Sequence, residues 1–271
     1  MCVPGCQEVL RRTLTRRGFV GAGAAASVAA AMAPGPAQAQ APRGFKRIVD
    51  LTHTLSPEFP TFFGGPGIEL QRQFDLERDG FNLNWWRLIE HAGTHFDAPL
   101  HFSAKGGAVE SFAPDTLVVP LAVVDIRARA AKNPDYLLSR QDLLDWEKKH
   151  RRLPNGCCVA MLSGWGAYVT DEAKYTGRRD GVLHFPGFSS EAAQWLVGER
   201  KVWGLAVDTL SLDHGPSKDF AVHRIWLGSG RWGLESVANL HELPATGATL
   251  MVGVAKVAGA TGAPARLFAF V

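Results

Sequence analysis

The segment from His91 to Phe102 constrains this chain more than any other part of its sequence. It reads HAGTHFDAPLHF and contains three of the nine histidines in the 271-residue chain. Pro99 argues against a regular helix at this point. In extended backbone, His95 and Asp97 share one face, and His91 lies on the same face four residues earlier. We therefore expect an extended segment that directs two imidazoles and a carboxylate to one side.

These side chains form a ligand set of the kind that Zn²⁺ and Mn²⁺ accept. Imidazole nitrogens and carboxylate oxygens bind such ions at about 2.0–2.2 Å. Two histidines and one carboxylate leave coordination positions open, which suits a catalytic site better than a structural one. The alternative is a histidine-rich loop with ordinary hydrogen bonds. Four candidate ligands interleaved with Gly, Thr and Pro favour the metal site.

Residues 1–39 are predicted to be an export signal rather than part of the fold. Arg16 and Arg17 precede an uncharged apolar run at 19–33, and small-x-small sequences around Ala39 offer cleavage sites. This arrangement resembles a twin-arginine signal and predicts a periplasmic protein. The run is shorter than the ~20 residues of a membrane-spanning helix, so no membrane anchoring is expected after processing. A basic N-terminal arm before an alanine-rich helix is the alternative.

The composition of the remaining chain favours a globular domain and excludes a nucleic-acid partner. The chain is 46% hydrophobic and 20% charged, and residues 40–271 carry equal numbers of basic and acidic side chains. Neither a basic block nor an aromatic-interleaved basic stripe is visible in the sequence. Cys157 and Cys158 lie in a strand-like apolar run, so they are expected to be buried core thiols rather than a redox pair.

The spacing of apolar runs predicts a single α/β domain, residues 40–271, with a mixed β-sheet flanked by helices. Strands are predicted at 48–55, 68–74, 81–89, 117–126, 157–162, 202–207, 249–257 and 267–271. Helices are predicted from a Ser139 cap to about 150, at 190–197, around 220–227 and around 234–240. Residues 168–188 are expected to be a long surface loop.

Residues 68–89 are predicted to form a β-hairpin, because two strand-like runs flank the turn signal at 77–80. Trp85 and Trp86 are adjacent in the second strand and therefore point to opposite faces. We expect one of these rings in the core and the other beside a pocket.

Taken together, the motifs resemble the cyclase family, which includes bacterial kynurenine formamidases and isatin hydrolases. The family motif H-x-G-T-H-x-D-x-P-x-H matches 91–101 at every fixed position. The stretch VDTLSLD at 207–213 resembles the family's D-T-x-S-x-D strand end, and DLTH at 50–53 resembles its opening strand. The likeness covers most of 47–257. It implies a swivelling β/β/α-like fold and a homo-oligomer, either a dimer or a tetramer.

The resemblance also implies the metal ligands. His91, His95 and Asp97 would bind a first divalent ion, either Zn or Mn. Asp97 would bind a second ion in dinuclear members, together with His223 and Glu235. One or two ions per subunit are therefore expected.

Two further residues receive roles from the resemblance. His101 would be the proton donor and acceptor, with a metal ligand or a hydrogen-bond partner of a ligand as the alternative. Phe62 falls where the formamidases carry a tryptophan that stacks on the substrate. By contrast, Asp208 is expected to make structural hydrogen bonds, and Ser211 and Asp213 are expected to shape the turn after their strand.

The function implied is metal-dependent hydrolysis of an amide attached to an aromatic ring. An arylformamidase-like activity on N-formylkynurenine is the first interpretation, and hydrolysis of an isatin-type lactam is the alternative. A serine hydrolase is less well supported because the stretch MLSGW at 161–165 lacks the first glycine of a G-x-S-x-G elbow. A non-enzymatic metal-binding protein would have no use for an open coordination position or for His101.

Overall fold

The computed structural model describes residues 44–271, so the predicted export signal lies outside the described residues. The strands in this range are β1 (Ile48–Asp50), β2 (Ile68–Phe74), β3 (Leu83–Leu88), β4 (His95–Asp97), β5 (Val118–Asp125), β6 (Leu137–Leu138), β7 (Cys157–Leu162), β8 (Gly187–Phe188), β9 (Val202–Val207), β10 (Trp232–Glu235), β11 (Ala248–Val254) and β12 (Gly262–Phe270). The helices are α1 (Leu76–Asp79), α2 (Arg127–Ala130), α3 (Arg140–His150), α4 (Glu172–Thr176), α5 (Ser190–Glu199) and α6 (Ala221–Gly228). None of these helices is both long and apolar enough to cross a bilayer.

Eight of the strands form a mixed sheet that closes on itself. Its order is β1-β12-β11-β5-β7-β9-β10-β4, and β4 pairs with β12 as well as with β10. Strands β5, β7, β9 and β10 run parallel, whereas β4, β11 and β12 make antiparallel pairs. The prediction of one α/β domain with a mixed sheet is confirmed. Closure of that sheet into a barrel follows from the double pairing of β4.

The barrel separates two hydrophobic clusters. Alternate residues of β7 show this, because Cys158 and Ala160 lie in the interior cluster while Cys157 and Met161 pack under the helices outside. Both cysteines are fully buried, as predicted. Burial raises the pKa of the Cys157 thiol to about 12, so this thiol is unreactive at neutral pH.

The predicted helices are found, with one exception. Helix α3 begins after Ser139, which forms a capping box with Asp142, and α5 and α6 lie where they were expected. The helix predicted around 234–240 is wrong, because residues 232–235 form β10 between β9 and β4. A short apolar run does not distinguish a helix from a buried strand, and pairing with two neighbours decides the outcome here.

The prediction of a long surface loop at 168–188 is also wrong. The segment contains α4, which begins after an Asp171 cap, and it buries Tyr175 and Phe185 completely. These rings pack with Trp165 in a third apolar cluster. The segment therefore contributes buried side chains to the interior of the domain.

The predicted hairpin is confirmed, but its tryptophans are not placed as expected. Among residues 44–271, strands β2 and β3 pair only with each other, and the helical turn α1 joins them. Trp85 is 64% exposed and Trp86 is 66% exposed. The prediction of one buried ring is wrong because the hairpin projects from the barrel instead of packing on it.

Candidate active site

Strand β4 places two candidate ligands on the outer face of the barrel. Phe96 points into the barrel core, so its neighbours His95 and Asp97 point the other way. In the register with β10, Glu235 lies directly opposite His95. Residues opposite each other in an antiparallel pair share a face, so Glu235 joins the two β4 side chains. The oxygen Oε2 of Glu235 is 3.3 Å from Nε2 of His95.

Two glycines make room around Asp97. Gly233 on β10 and Gly262 on β12 are both opposite this residue. A Cβ atom on Gly262 would lie 2.4 Å from Cε1 of His91, and one on Gly233 would lie 3.3 Å from Oδ2 of Asp97. Side chains at these two positions would therefore occupy the space of the ligand cluster.

The remaining candidate residues approach from three other segments. His91 precedes a turn at Gly93, and its Nδ1 is 2.6 Å from Oδ1 of Asp97. His223 on α6 places Nε2 3.1 Å from Oε1 of Glu235. The ring of His101 stacks on that of His91 with 3.7 Å between centroids. The structure thus brings together all six residues predicted as metal ligands or proton carrier.

Three of the imidazoles use one ring nitrogen to donate a hydrogen bond away from the cluster. The Nδ1 of His95 donates to the carbonyl of Gly93 at 2.9 Å. The Nδ1 of His223 donates to Oδ2 of Asp213 at 2.6 Å. His91 donates from Nε2 to the Thr261 hydroxyl at 3.0 Å, because that hydroxyl gives its own proton to Glu90. In a neutral imidazole the other nitrogen then carries a lone pair.

These lone pairs face two carboxylates, so the centre of the cluster contains acceptors and lacks donors. The Nε2 of His95 is 3.2 Å from Oδ1 of Asp97, and neither this nitrogen nor Oδ2 of Asp97 has a hydrogen-bond partner. Buried acceptors that face one another are unfavourable unless a cation lies between them. Burial lowers the pKa of His95, but Asp97 and Glu235 outweigh it and raise that pKa to about 10. This set of ligand atoms therefore fits a divalent cation. In the metal-free protein, a proton on His95 takes the place of the cation.

Asp97 is common to both groups of side chains in the described part of the chain that could hold an ion. One group is His91, Asp97 and His101, and the other is His95, Asp97 and Glu235. Nitrogen and carboxylate oxygen donors of this kind suit Zn²⁺ or Mn²⁺. The oxygen Oδ1 of Asp97 is 2.6 Å from His91 and 3.2 Å from His95, and Oδ2 is 3.7 Å from Nε2 of His223.

An apolar cavity of about 230 Å³ opens onto the cluster. His101 and Phe62 line it, and Phe62 contacts Phe220 with 5.8 Å between ring centroids. The other large apolar side chains of the lining are Phe63, Ile89, Phe102 and Leu210. Among the described residues that line this cavity, none is Lys or Arg. An aromatic ring can therefore be enclosed here beside the metal ligands.

His101 is in a position to exchange a proton with a molecule in the cavity. Burial lowers the pKa of this imidazole to about 4, and the nearby Asp97 carboxylate opposes the shift only in part. The ring is therefore neutral at pH 7 and able to accept a proton. A ring nitrogen of His101 also lies close enough to His91 and Asp97 to serve as a metal ligand, which is the predicted alternative.

The structure adds positioning residues that sequence reasoning did not identify. Asp213 was expected only to shape a turn, yet it holds the ring of His223 and also accepts hydrogen bonds from the backbone at the start of α6. Glu90 and Thr261 hold His91 in the same way. Glu90 directly precedes the first histidine of the motif, and this position could have suggested its role. Asp208, in contrast, accepts hydrogen bonds from residues 163 and 164, in agreement with the structural role predicted for it from the sequence.

We expect Asp213→Asn to weaken metal binding by about 10–100-fold, the usual effect of removing a carboxylate partner from a ligand histidine. An amide offers one acceptor oxygen where the carboxylate offers two, so the ring of His223 loses its fixed orientation. Equilibrium dialysis against Zn²⁺ or Mn²⁺ measures the change. The matched control is Asp219→Asn, because exposed Asp219 also caps the start of α6 but does not touch His223. Equal affinities in the wild type and Asp213→Asn would contradict this role.

Comparison with known proteins agrees with this geometry. Residues 49–214 match the family model described as a putative cyclase. Isatin hydrolase from Roseibium aggregatum is 31% identical over 84% of this chain and 93% of its own length. Kynurenine formamidase from Salinibacter ruber is 27% identical over 81% of this chain and 95% of its own length.

A solved structure is similar along nearly the whole chain. Isatin hydrolase A from Ralstonia solanacearum is 34% identical, with a TM-score of 0.78 over 96% of this chain and 98% of that one. The family model covers more than half of the chain, and it includes the motif that supplies β4 and its ligands. The chain therefore belongs to the cyclase family.

Proposed function

We propose that this protein is a metal-dependent hydrolase that opens an amide bond attached to an aromatic ring, with an uncharged isatin-type lactam as its best substrate. The observation that carries the proposal is a buried cluster of acceptors at the end of a cavity walled by aromatic side chains. Similarity to isatin hydrolases and to a kynurenine formamidase supports the same reaction class. The active form is proposed to be a homo-oligomer.

The ion is proposed to be Zn²⁺ or Mn²⁺, with one or two per subunit. His91, His95 and Asp97 would hold the first, and Asp97 would hold a second with His223 and Glu235. A divalent ion bound there lowers the pKa of water toward about 7 and polarises an amide carbonyl. The protein supplies the fixed orientation of the three ligand histidines through Gly93, Asp213 and Thr261.

The absence of a counter-ion in the described cavity lining favours a lactam over N-formylkynurenine. N-formylkynurenine carries an ammonium group and a carboxylate on its amino-acid end, and burying either without a partner is unfavourable. Arg178, in the adjoining groove, is exposed and donates to the backbone carbonyl of Phe62, and it does not belong to the cavity lining. A small neutral ring system meets no such penalty.

His101 is proposed to move the proton that hydrolysis requires. Water adds its oxygen to the carbonyl carbon, the carbon–nitrogen bond breaks, and the nitrogen takes up a proton as it leaves. The neutral imidazole of His101 can accept a proton from the attacking water and return it to that nitrogen. Its place on the cavity wall, stacked on His91, supports this role.

The two competing functions find little support. A serine nucleophile needs a neighbouring histidine, whereas the buried Ser163 hydroxyl donates to Asp208 and is not part of the cavity lining. A metal-storage protein would not need an aromatic cavity next to its ligands. Loss of activity on treatment with a chelator separates the proposed enzyme from a serine hydrolase.

The first test compares substrates with the metal-loaded protein. We expect kcat/KM for isatin to exceed that for N-formylkynurenine by about tenfold or more. This ratio corresponds to a free-energy cost of at least ~1.4 kcal/mol for burying the charged amino-acid end of N-formylkynurenine. Absorbance assays of ring opening and deformylation measure both rates. His95→Ala is the control and should lose metal and both activities. A preference for N-formylkynurenine would refute the lactam assignment, but the broader assignment as an amide hydrolase would still hold.

The second test separates ligation from proton transfer. His101→Ala should retain its metal while kcat on amides falls by roughly 10²–10⁴-fold, because a general acid–base group is lost. An activated aryl ester should be less affected, since its leaving group needs no proton. Metal analysis of the purified variant decides the first point. A metal-free His101→Ala protein would show that His101 is a ligand instead.

Residues 1–39 are proposed to be a twin-arginine signal that directs the protein to the periplasm. We expect replacement of Arg16 and Arg17 by Lys to leave the precursor in the cytoplasm, because the export machinery recognises the paired arginines. Immunoblots of the periplasmic and cytoplasmic fractions measure the outcome. Normal appearance of the shortened protein in the periplasm would contradict the assignment.

A further inference from the structure

A wide groove lies at the amino ends of three parallel strands, β7, β9 and β10. It has a volume of about 1010 Å³, and residues at or just before the first residues of these strands line it. Glu235, one of the candidate metal ligands, is the last residue of β10 and therefore lies at the other end of that strand. In the described chain, the groove and the active-site cavity share no lining residue. The groove is therefore a separate feature.

The groove carries more positive than negative charge. Its charged lining residues are Arg152, Arg200, Lys201, Arg231 and Glu199. Arg200 is neutralised by Glu147, because its Nη2 lies 2.7 Å from Oε2 of that carboxylate. Within residues 44–271, none of the other charged lining residues makes an ion pair. Three cations are thus left with one carboxylate, which is an excess of two positive charges.

Arg231 is held in a fixed position, and part of its capacity to donate hydrogen bonds is unused. Its Nε donates to the Val202 carbonyl at 2.9 Å, its Nη1 to the Ser229 hydroxyl at 2.8 Å and its Nη2 to the Val197 carbonyl at 3.3 Å. A guanidinium has five N–H donors, so two of them make no bond to the described chain. Burial lowers the pKa of this group, and no described carboxylate offsets the effect. This charge is therefore oriented in advance for an anion that enters the groove.

Arg152 is fixed at the edge of the groove by the end of a helix. Glu199 is the last residue of α5, so its carbonyl is one of those that a helix leaves without a partner inside the helix. The Nη2 of Arg152 donates to this carbonyl at 3.1 Å, and the Nη1 of Arg200 donates to it at 2.8 Å. Lys201 is exposed and can move its ammonium group toward a bound molecule.

An indole ring supplies a large apolar surface in the groove. Trp203 is 44% exposed, although its neighbours Val202 and Gly204 in β9 are buried. A Cβ atom on Gly156 would lie 2.9 Å from Nε1 of Trp203, so glycine at this position allows the indole to approach the backbone. The φ angle of Gly156 is +74°, which glycine adopts without strain. An exposed indole is a surface on which a planar ring can stack.

We propose that this groove binds a small planar ring that carries a phosphate monoester, with the phosphate on Arg152, Lys201 and Arg231 and the ring on Trp203. A phosphate monoester carries about −1.5 to −2 charges at pH 7, which matches the excess of positive charge, whereas one carboxylate would neutralise half of it. Guanidinium groups also match the oxygens of a phosphate in geometry. The proposal does not depend on the proposed function.

The charge of the whole domain favours a small ligand over a nucleic acid. Residues 40–271 carry equal numbers of basic and acidic side chains, so the excess of positive charge is local to the groove. A nucleic acid needs a basic surface that follows several phosphates. A nucleoside monophosphate, in contrast, offers one phosphate beside one planar ring, and the volume of the groove is sufficient for both.

Isothermal titration calorimetry of the metal-loaded protein with adenosine monophosphate tests the site. We expect this nucleotide to bind about tenfold or more tightly than adenosine or inorganic phosphate, because only the nucleotide contacts both the indole and the cations. Lack of binding at millimolar concentration would overturn the proposal. Equal affinity for adenosine would refute the role of the cations, and equal affinity for inorganic phosphate in the groove would refute the role of Trp203.

Substitutions in the groove show whether the nucleotide binds there. We expect Lys201→Gln to weaken binding about fivefold or more, because a charge-assisted bond is lost. Trp203→Gln should weaken binding about tenfold, whereas Trp203→Phe keeps a ring and should stay close to the wild type. Both side chains are exposed, so the variants should keep the thermal unfolding midpoint of the wild type. The matched control is Lys256→Gln, which removes an exposed lysine outside the groove and should not change the affinity.

Equal affinity for the nucleotide in the wild type, Lys201→Gln and Trp203→Gln would overturn the proposal. Phosphate held by the metal of the active site would give this result, because the groove substitutions do not touch that site. A single-stranded oligonucleotide of about ten thymidines provides the last test. Binding much tighter than that of the nucleotide, and steeply weakened by salt, would replace the small ligand with a nucleic acid.

Discussion

The pairing of β4 on both of its edges is the constraint on which the rest of the structure depends. Three residues, His95 to Asp97, hydrogen-bond to β10 on one side and to β12 on the other. Phe96 fills the barrel interior while its two neighbours leave it. The same strand thus closes the sheet and fixes the ligand positions, so the metal centre inherits the rigidity of the barrel wall. Sites on regular elements hold their geometry more closely than sites on loops.

The ligand cluster is organised by the hydrogen bonds that leave it. Each of His91, His95 and His223 commits one nitrogen to an acceptor outside the cluster, and this choice decides which nitrogen faces inward. The outside acceptors come from a backbone carbonyl, a carboxylate and a hydroxyl, on three different segments. Orientation of the ligands is therefore spread over much of the chain, whereas the charge that attracts the cation is concentrated in Asp97 and Glu235.

The sequence predicted the chemistry of the site better than its architecture. The motif at 91–101 is local, so the face shared by His95 and Asp97 follows from the two-residue period of a strand. The contribution of Glu235 depended on family resemblance, because its apolar surroundings are typical of helix and strand alike. Nothing near Thr261 marks it as a partner of His91, from which it is 170 positions distant. The prediction that one tryptophan of the hairpin at 68–89 is buried was wrong for a related reason. Alternation along a strand shows which face a ring takes but not whether anything covers that face.

The lack of donors at the centre of the cluster has a consequence for how the chain folds. Contacts between β4 and β12 join residues far apart in sequence, and such contacts form late because loop closure must precede them. The final docking step would bring buried acceptors against one another with water excluded, which is unfavourable without a positive charge. A cation, or protons in its place, must therefore enter before the seam between β4 and its neighbours closes. Closure of the barrel seam is thus tied to a positive charge at the centre of the ligand cluster, whether a cation or protons carry that charge.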